Sequence, residues 1–124
     1  MAGFNLVAVA EGEGLCLHWD GSLRATSFGA GAHVISSNYD LDDAEMPEKA
    51  VFDAWLARGE ATEPRLVEFL SSHDGTRPVC KHGTEFGTVS STLYVESTGR
   101  LLHADGPPCR TAFAECASLA EILR

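Results

Sequence analysis

The chain has 124 residues, of which 44% are hydrophobic and 22% charged, a balance that excludes a disordered polypeptide and predicts one folded domain over residues 1–124. The formal net charge is -9 and the basic residues are scattered, so we expect neither nucleic acid nor an anionic membrane surface as a partner. No stretch approaches the roughly 18 apolar residues of a membrane span, and the first residues lack a signal-peptide pattern, so we expect a cytoplasmic protein.

The first third of the chain predicts strands joined by tight turns. Residues 4–10 and 15–19 flank a Glu-Gly-Glu-Gly turn and predict a hairpin. After the Asp20-Gly21 turn, residues 23–28 alternate and predict a third strand. Residues 33–36 predict a fourth, which is followed by an acidic loop over residues 39–45.

The middle of the chain predicts two helices. Pro47 suits a first helical turn, and the apolar spacing that follows predicts a helix over about residues 48–60. Thr62 is a candidate cap for a second helix, with Pro64 in its first turn. Residues 72–83 contain Asp-Gly, Arg-Pro and a further Gly, and predict a loop.

The last part of the chain predicts strands again. Residues 88–96 and 100–104 flank a Ser-Thr-Gly turn and predict a second hairpin, and residues 110–115 are a candidate further strand. Ser118 and Glu121 have the spacing of a capping box and predict a short C-terminal helix. This order favours an α+β fold with antiparallel sheets and a helical pair.

Three motifs occur in an order that resembles a known family. They are Gly3-Phe4-Asn5-Leu6, then Ser37-Asn38 with Leu41-Asp42 and Pro47-Glu48-Lys49, then Phe86-Gly87-Thr88-Val89-Ser90-Ser91-Thr92. Together they resemble the C-terminal portion of the NRDE family, also called the transport-and-Golgi-organisation family, over about residues 3–105. Members of that family look like N-terminal-nucleophile (Ntn) hydrolases, so the resemblance implies half of an αββα sandwich.

The resemblance also implies what this chain does and what it lacks. Ntn enzymes use the first mature residue as nucleophile, and removal of Met1 would leave Ala2, which has none. Val89 stands where the family usually has Arg. We therefore expect a nucleophile-free binding or structural module. Half of a sandwich exposes a sheet, so the expected partner is a second copy or a chain carrying the N-terminal half.

Two alternatives remain open from the sequence. In the first alternative, the chain is a subunit or a fragment of an amide (C–N) hydrolase whose nucleophilic Cys lies on a missing N-terminal half. A weaker alternative, suggested by the family's eukaryotic members, is a carrier of haem or another small cofactor, although no haem-attachment motif is present.

The resemblance places candidate site residues on the second and third motifs. Asn38 is the candidate for binding a tetrahedral oxyanion, because its amide is a neutral donor. Ser37, Thr88, Ser90 and Thr92 are candidate substrate-binding residues. The alternatives are an Asx turn at Ser37-Asn38 and ordinary cross-strand packing of the hydroxyl side chains.

Cysteine and histidine residues in the second half of the chain are candidate metal ligands. The set is His73, Cys80, His82, Cys109 and Cys116. Zinc sites normally show paired ligands such as Cys-x-x-Cys, whereas this set has a single Cys-x-His and irregular spacing. The acidic loop lacks the Gly and the distal Glu of an EF-hand. The sequence therefore predicts free thiols, no metal site and no cofactor.

Overall fold

A computed structural model describes residues 3–36, 39–75, 78–118 and 122. The described residues group into two compact units, one ending at Ala54 and the other beginning at Trp55. Each unit contains a three-stranded antiparallel sheet. The predicted α+β fold with antiparallel sheets and a helical pair is thus confirmed, while one domain over residues 1–124 stays a prediction.

The first unit contains a three-stranded meander. Its strands are β1 (Phe4–Ala10), β2 (Glu13–Trp19) and β3 (Leu23–Phe28), paired in the order β1-β2-β3. The turn between β1 and β2 is made by Glu11 and Gly12, both at positive φ, the conformation that matches the right-handed twist of a hairpin. The predicted first hairpin and third strand are confirmed.

The two faces of this sheet differ in exposure. On one face, Cys16 and His18 are each 3% exposed. On the other face, Leu6 and Leu23 are 56% and 62% exposed, although both are apolar. Residues that alternate along a strand point to opposite faces, so Leu6 and Leu23 lie together on the surface opposite Cys16 and His18.

The predicted fourth strand is wrong: within the described part of the first unit, residues 33–36 form no strand. The Val34 N–H donates to the Asp42 carboxylate over 2.8 Å, and the Asp42 N–H donates to the Val34 carbonyl over 3.0 Å. The backbone N–H and carbonyl of Val34 are therefore bonded to Asp42 in the loop and are not available to a neighbouring strand. Asp42 itself has a positive φ of 55°.

Both predicted helices are present. They are α1 (Pro47–Ala57) and α2 (Glu63–Leu70). The first ends sooner than predicted, because the N–H groups of Arg58 and Gly59 bond three residues back and tighten the last turn. Thr62 caps α2 as predicted, its side chain accepting from the Arg65 N–H. No helix among the described residues is long and apolar enough to cross a membrane.

The second unit contains the other sheet. Its strands are β4 (Ser91–Val95), β5 (Arg100–Ala104) and β6 (Ala114–Cys116), in the order β4-β5-β6. The central strand β5 is the most buried, with Leu102 and Ala104 at 5% and 0% exposure. The second hairpin is confirmed, although β4 begins at Ser91 rather than at residue 88. The predicted C-terminal helix falls mostly outside the described residues.

Candidate metal centre

Four side chains of the second unit converge on one point. They are His73, Cys80, His82 and Cys109, whose ligand atoms all lie within 4.8 Å of one another. Three separate loops supply them, so the cluster exists only in the folded chain.

The loop that follows α2 places His73 beside Cys80. The Cys80 N–H donates to the Ser72 carbonyl over 3.0 Å, which closes the loop on itself. The Ser72 hydroxyl accepts from the Asp74 N–H over 3.1 Å, an ST turn that fixes the backbone just after His73. His73 is thereby held next to the fully buried Cys80.

A second, hairpin-like loop positions His82. The Lys81 N–H donates to the Thr88 hydroxyl, and the Thr88 N–H donates to the Lys81 carbonyl, each over 2.8 Å. His82 and Gly87 face each other as an antiparallel bridge inside this loop. Gly83 is needed there, because a Cβ at that position would lie 2.5 Å from the Phe86 carbonyl oxygen.

A tight turn supplies Cys109. The N–H groups of Arg110 and Thr111 both donate to the Pro107 carbonyl over 3.0 Å. The Ser71 hydroxyl, at the end of α2, donates to the Val67 carbonyl over 2.8 Å and lies 3.3 Å from the Pro108 carbonyl. The turn therefore lies against the end of the same helix that leads into His73.

The separations are close to those of a tetrahedral metal site. The Nε2 atom of His82 lies 3.1 Å from Cys109 Sγ, 3.2 Å from His73 Nε2 and 3.7 Å from Cys80 Sγ. Zinc bonds of about 2.0–2.1 Å to nitrogen and 2.3 Å to sulfur place tetrahedral ligand atoms about 3.3–3.8 Å apart. The widest separation, at most 4.8 Å, needs a contraction of about 1 Å.

Hydrogen bonding accounts for only part of this cluster. The Nε2 atom of His82 has either one proton or one lone pair, so it makes one ordinary hydrogen bond and cannot serve all three neighbours equally. Those neighbours are an imidazole nitrogen and two sulfur atoms, and each can offer a lone pair to a metal ion. A cation at their centre would accept all of these lone pairs at once.

The electrostatics of Cys80 fit a site that is completed by a cation. Burial raises the pKa of the Cys80 thiol, and the nearby Cys109 N–H and Arg110 guanidinium only partly oppose this rise. The metal-free thiol is therefore protonated at neutral pH, and a divalent ion would displace that proton. Two thiolates neutralise a divalent charge, which suits a partly buried position.

Arg110 contacts the second ring nitrogen of His82, and this contact depends on where the ring proton lies. Its Nη2 atom lies 3.5 Å from His82 Nδ1, a long contact in which the guanidinium can only donate. Coordination through Nε2 requires the ring proton on Nδ1. Metal binding would therefore release Arg110 from this contact.

Among the described residues, none of those predicted from the sequence as site residues is a member of this cluster. Ser37 and Asn38 fall outside the described residues. Thr92 and His103 are bonded across β4 and β5 over 2.9 Å, which is the cross-strand alternative, and Ser90 is exposed. Thr88 is not a ligand, but its bonds to Lys81 hold the loop that carries His82.

The cluster is only partly recognisable in the sequence. Cys80-Lys81-His82 was visible as a Cys-x-His pair, but His73 and Cys109 lie 9 and 27 positions from His82. Cys116 is not a member of the cluster; its thiol lies 3.7 Å from the Ala114 carbonyl. Spacing along the sequence therefore does not distinguish Cys109, a member of the cluster, from Cys116, which lies outside it.

Comparison of the chain with protein-family models, with curated proteins and with solved structures returns no match. The resemblance to the NRDE family therefore rests on its motifs. The candidate centre rests on the geometry of its own residues.

Proposed function

We propose that this protein is a zinc-binding module, in which His73, Cys80, His82 and Cys109 hold one Zn²⁺ as a structural cross-link. The observation that carries the proposal is the convergence of the four ligand atoms within 4.8 Å. Two sulfur and two imidazole ligands in a tetrahedral arrangement are typical of zinc. Four protein ligands fill the coordination sphere, which is typical of structural rather than catalytic zinc.

The cross-link would join three segments of the second unit. His73 and Cys80 lie in the loop that follows α2, His82 lies in the hairpin-like loop over residues 81–88, and Cys109 lies on the turn at Pro107. Zinc binding would order these loops together, because an ion bound only by the folded state stabilises that state. This role agrees with the binding or structural module that the NRDE resemblance implies.

The test is zinc stoichiometry on protein purified under reducing conditions. We expect one zinc per chain by elemental analysis. Substitution by Co²⁺ should give visible absorption of a tetrahedral ion and sulfur-to-cobalt charge-transfer bands. Those bands report thiolate ligation directly, which zinc content alone does not.

Matched variants separate the centre from incidental metal binding. Cys109→Ser and His73→Ala remove ligands and should abolish stoichiometric binding. Cys116→Ser and His103→Ala make the same changes outside the cluster and should retain one zinc per chain. Equal zinc content in all four variants, or none in the unsubstituted protein, would refute the proposal.

A further inference from the structure

The two sulfur atoms of the cluster differ in exposure. Cys80 is fully buried at 0% exposure, whereas Cys109 is half-buried on a surface turn. Their Sγ atoms lie within 4.8 Å of each other. A reagent in solvent therefore reaches Cys109 before Cys80, and Cys80 lies close enough to react with whatever forms there.

We propose that Cys109 and Cys80 are a peroxide-sensitive pair, Cys109 being the sulfur that is oxidised first and Cys80 the one that closes a disulfide. The release of metal that follows rests on the zinc site proposed above. The disulfide itself rests only on the positions of the two sulfurs.

The first step is attack of the Cys109 thiolate on hydrogen peroxide. An S–O bond forms, the O–O bond breaks, and hydroxide leaves, so the sulfur loses two electrons and becomes a sulfenic acid. His82 Nε2 lies 3.1 Å from this sulfur, and His73 and Arg110 add further polar groups near His82. This setting differs from that of Cys116, which lies on β6 next to a backbone carbonyl.

The second step is attack of the Cys80 sulfur on the sulfenic sulfur of Cys109, either as the thiolate of the zinc-loaded protein or as a thiol that gives up its proton in the step. An S–S bond forms, the S–O bond breaks, and a second hydroxide leaves. Two thiolates and one peroxide thus give one disulfide and two hydroxide ions. Reaching an S–S length of about 2 Å requires side-chain rotation and a small shift of the turn at Pro107.

Oxidation would remove both anionic ligands of the zinc ion. Only His73 and His82 would then remain, and two neutral ligands hold zinc weakly. The cluster would thereby convert a redox signal into loss of the cross-link between its loops. Reduction by a dithiol restores both thiolates and the site.

The experiment treats zinc-loaded, reduced protein with one equivalent of hydrogen peroxide. A zinc-sensitive dye follows metal release, and intact mass and peptide mapping identify the product. We expect one zinc released per chain, a mass loss of about 2 Da, and a Cys80–Cys109 cross-linked peptide. Dithiothreitol should reverse all three changes.

Two variants assign the order of the sulfurs. In metal-free Cys80→Ser protein, we expect a dimedone adduct on Cys109, because no resolving thiol is present. Cys109→Ser should slow peroxide consumption by about tenfold. The control Cys116→Ser should release zinc and form the cross-link like the unsubstituted protein.

The outcomes distinguish the two proposals. A protein that binds zinc but yields no Cys80–Cys109 peptide, or one linked through Cys16 or Cys116, would overturn the redox proposal alone. A protein that binds no zinc but forms the Cys80–Cys109 peptide would overturn the zinc proposal and the proposed release of zinc on oxidation. It would leave the thiol pair supported.

Discussion

His82 Nε2 lies 3.1 Å from Cys109 Sγ, although 27 positions of the chain separate the two residues. No strand ladder or helix turn produces this contact. It is made by two loops, each closed by its own backbone hydrogen bonds. Long-range contacts between loops lower the conformational entropy of the chain. The free energy of metal binding at their junction would offset part of that loss.

Zinc removal is expected to lower the free energy of unfolding. At free zinc one hundred times above the dissociation constant, binding to the folded state alone stabilises by about 2.7 kcal/mol. Urea unfolding followed by tryptophan fluorescence, with saturating zinc or with chelator, measures this difference. Cys109→Ser should unfold at the same urea concentration in both conditions. An unsubstituted protein that is indifferent to chelator would contradict a structural role.

Gly83→Ala is expected to weaken zinc binding without removing a ligand. The added Cβ would meet the Phe86 carbonyl at 2.5 Å, so the loop that carries His82 must shift. Changes to residues that support metal ligands typically cost about 10–100-fold in affinity. Competition with a chromophoric chelator measures the dissociation constant.

Gly29→Ala is the matched control for that substitution. A Cβ at Gly29 meets nothing within 4 Å, and the residue lies in the first unit. We expect zinc affinity unchanged from the unsubstituted protein. Equal losses of affinity in both variants would show that the effect is not local to the His82 loop.

The His33–Asp42 pair is expected to stabilise the first unit within a limited pH window. His33 Nδ1 lies 2.6 Å from an Asp42 carboxylate oxygen, and Nε2 lies 2.9 Å from the Gly29 carbonyl. Both neighbours are acceptors, so only the doubly protonated ring satisfies them. The bond to Asp42, and then that to Gly29, raises the pKa of His33 above 6.5.

Asp42 sets the lower limit of that window. Burial acts to raise the pKa of Asp42, but hydrogen bonds from His33 and the Val34 N–H outweigh it and hold the pKa below 3.8. The stabilisation from His33 is complete below pH 6.5 and is lost as pH rises through its higher folded-state pKa. The stabilisation from Asp42 is present above pH 3.8 and is lost as pH falls through its folded-state pKa.

His33→Ala tests this window. Near pH 5 it should cost up to about 1 kcal/mol more than it does near pH 9, the range of part-exposed ion pairs. The loss of packing against Phe28, whose ring centroid lies 4.7 Å away, is the same at both pH values. Urea unfolding at each pH gives the difference, and His103→Ala is the control. An equal cost at both pH values would contradict the ion pair.

Self-association, which we expect from the sequence, stays a prediction. The exposed apolar side chains on the first sheet provide a place to test it. Leu6→Asp places a charge among exposed apolar side chains, whereas Thr26→Asp places it on the opposite face, beside Cys16. Light scattering after gel filtration should find a dimer for the unsubstituted protein and Thr26→Asp, and a monomer for Leu6→Asp. A monomeric unsubstituted protein at every concentration would refute the prediction.

Local patterns predicted most of the fold. Alternation and turn residues placed β1, β2, β3 and the β4–β5 hairpin, and Thr62 with Pro64 placed the start of α2. These features depend on neighbours in the chain, so they are visible in one dimension. The fourth strand failed because Asp42, a loop residue, bonds the Val34 backbone. The residues of the predicted strand do not by themselves indicate this hydrogen bond to Asp42.

The candidate site shows the complementary limit. The fold class, the two helices and the presence of thiol and imidazole groups in the second half of the chain all follow from residue patterns. The meeting of His73, Cys80, His82 and Cys109 without Cys116 is visible only in the folded chain. Metal coordination depends on distances between side-chain atoms. Those distances are set here by loop closures at Ser72, Thr88 and Pro107, not by spacing along the chain.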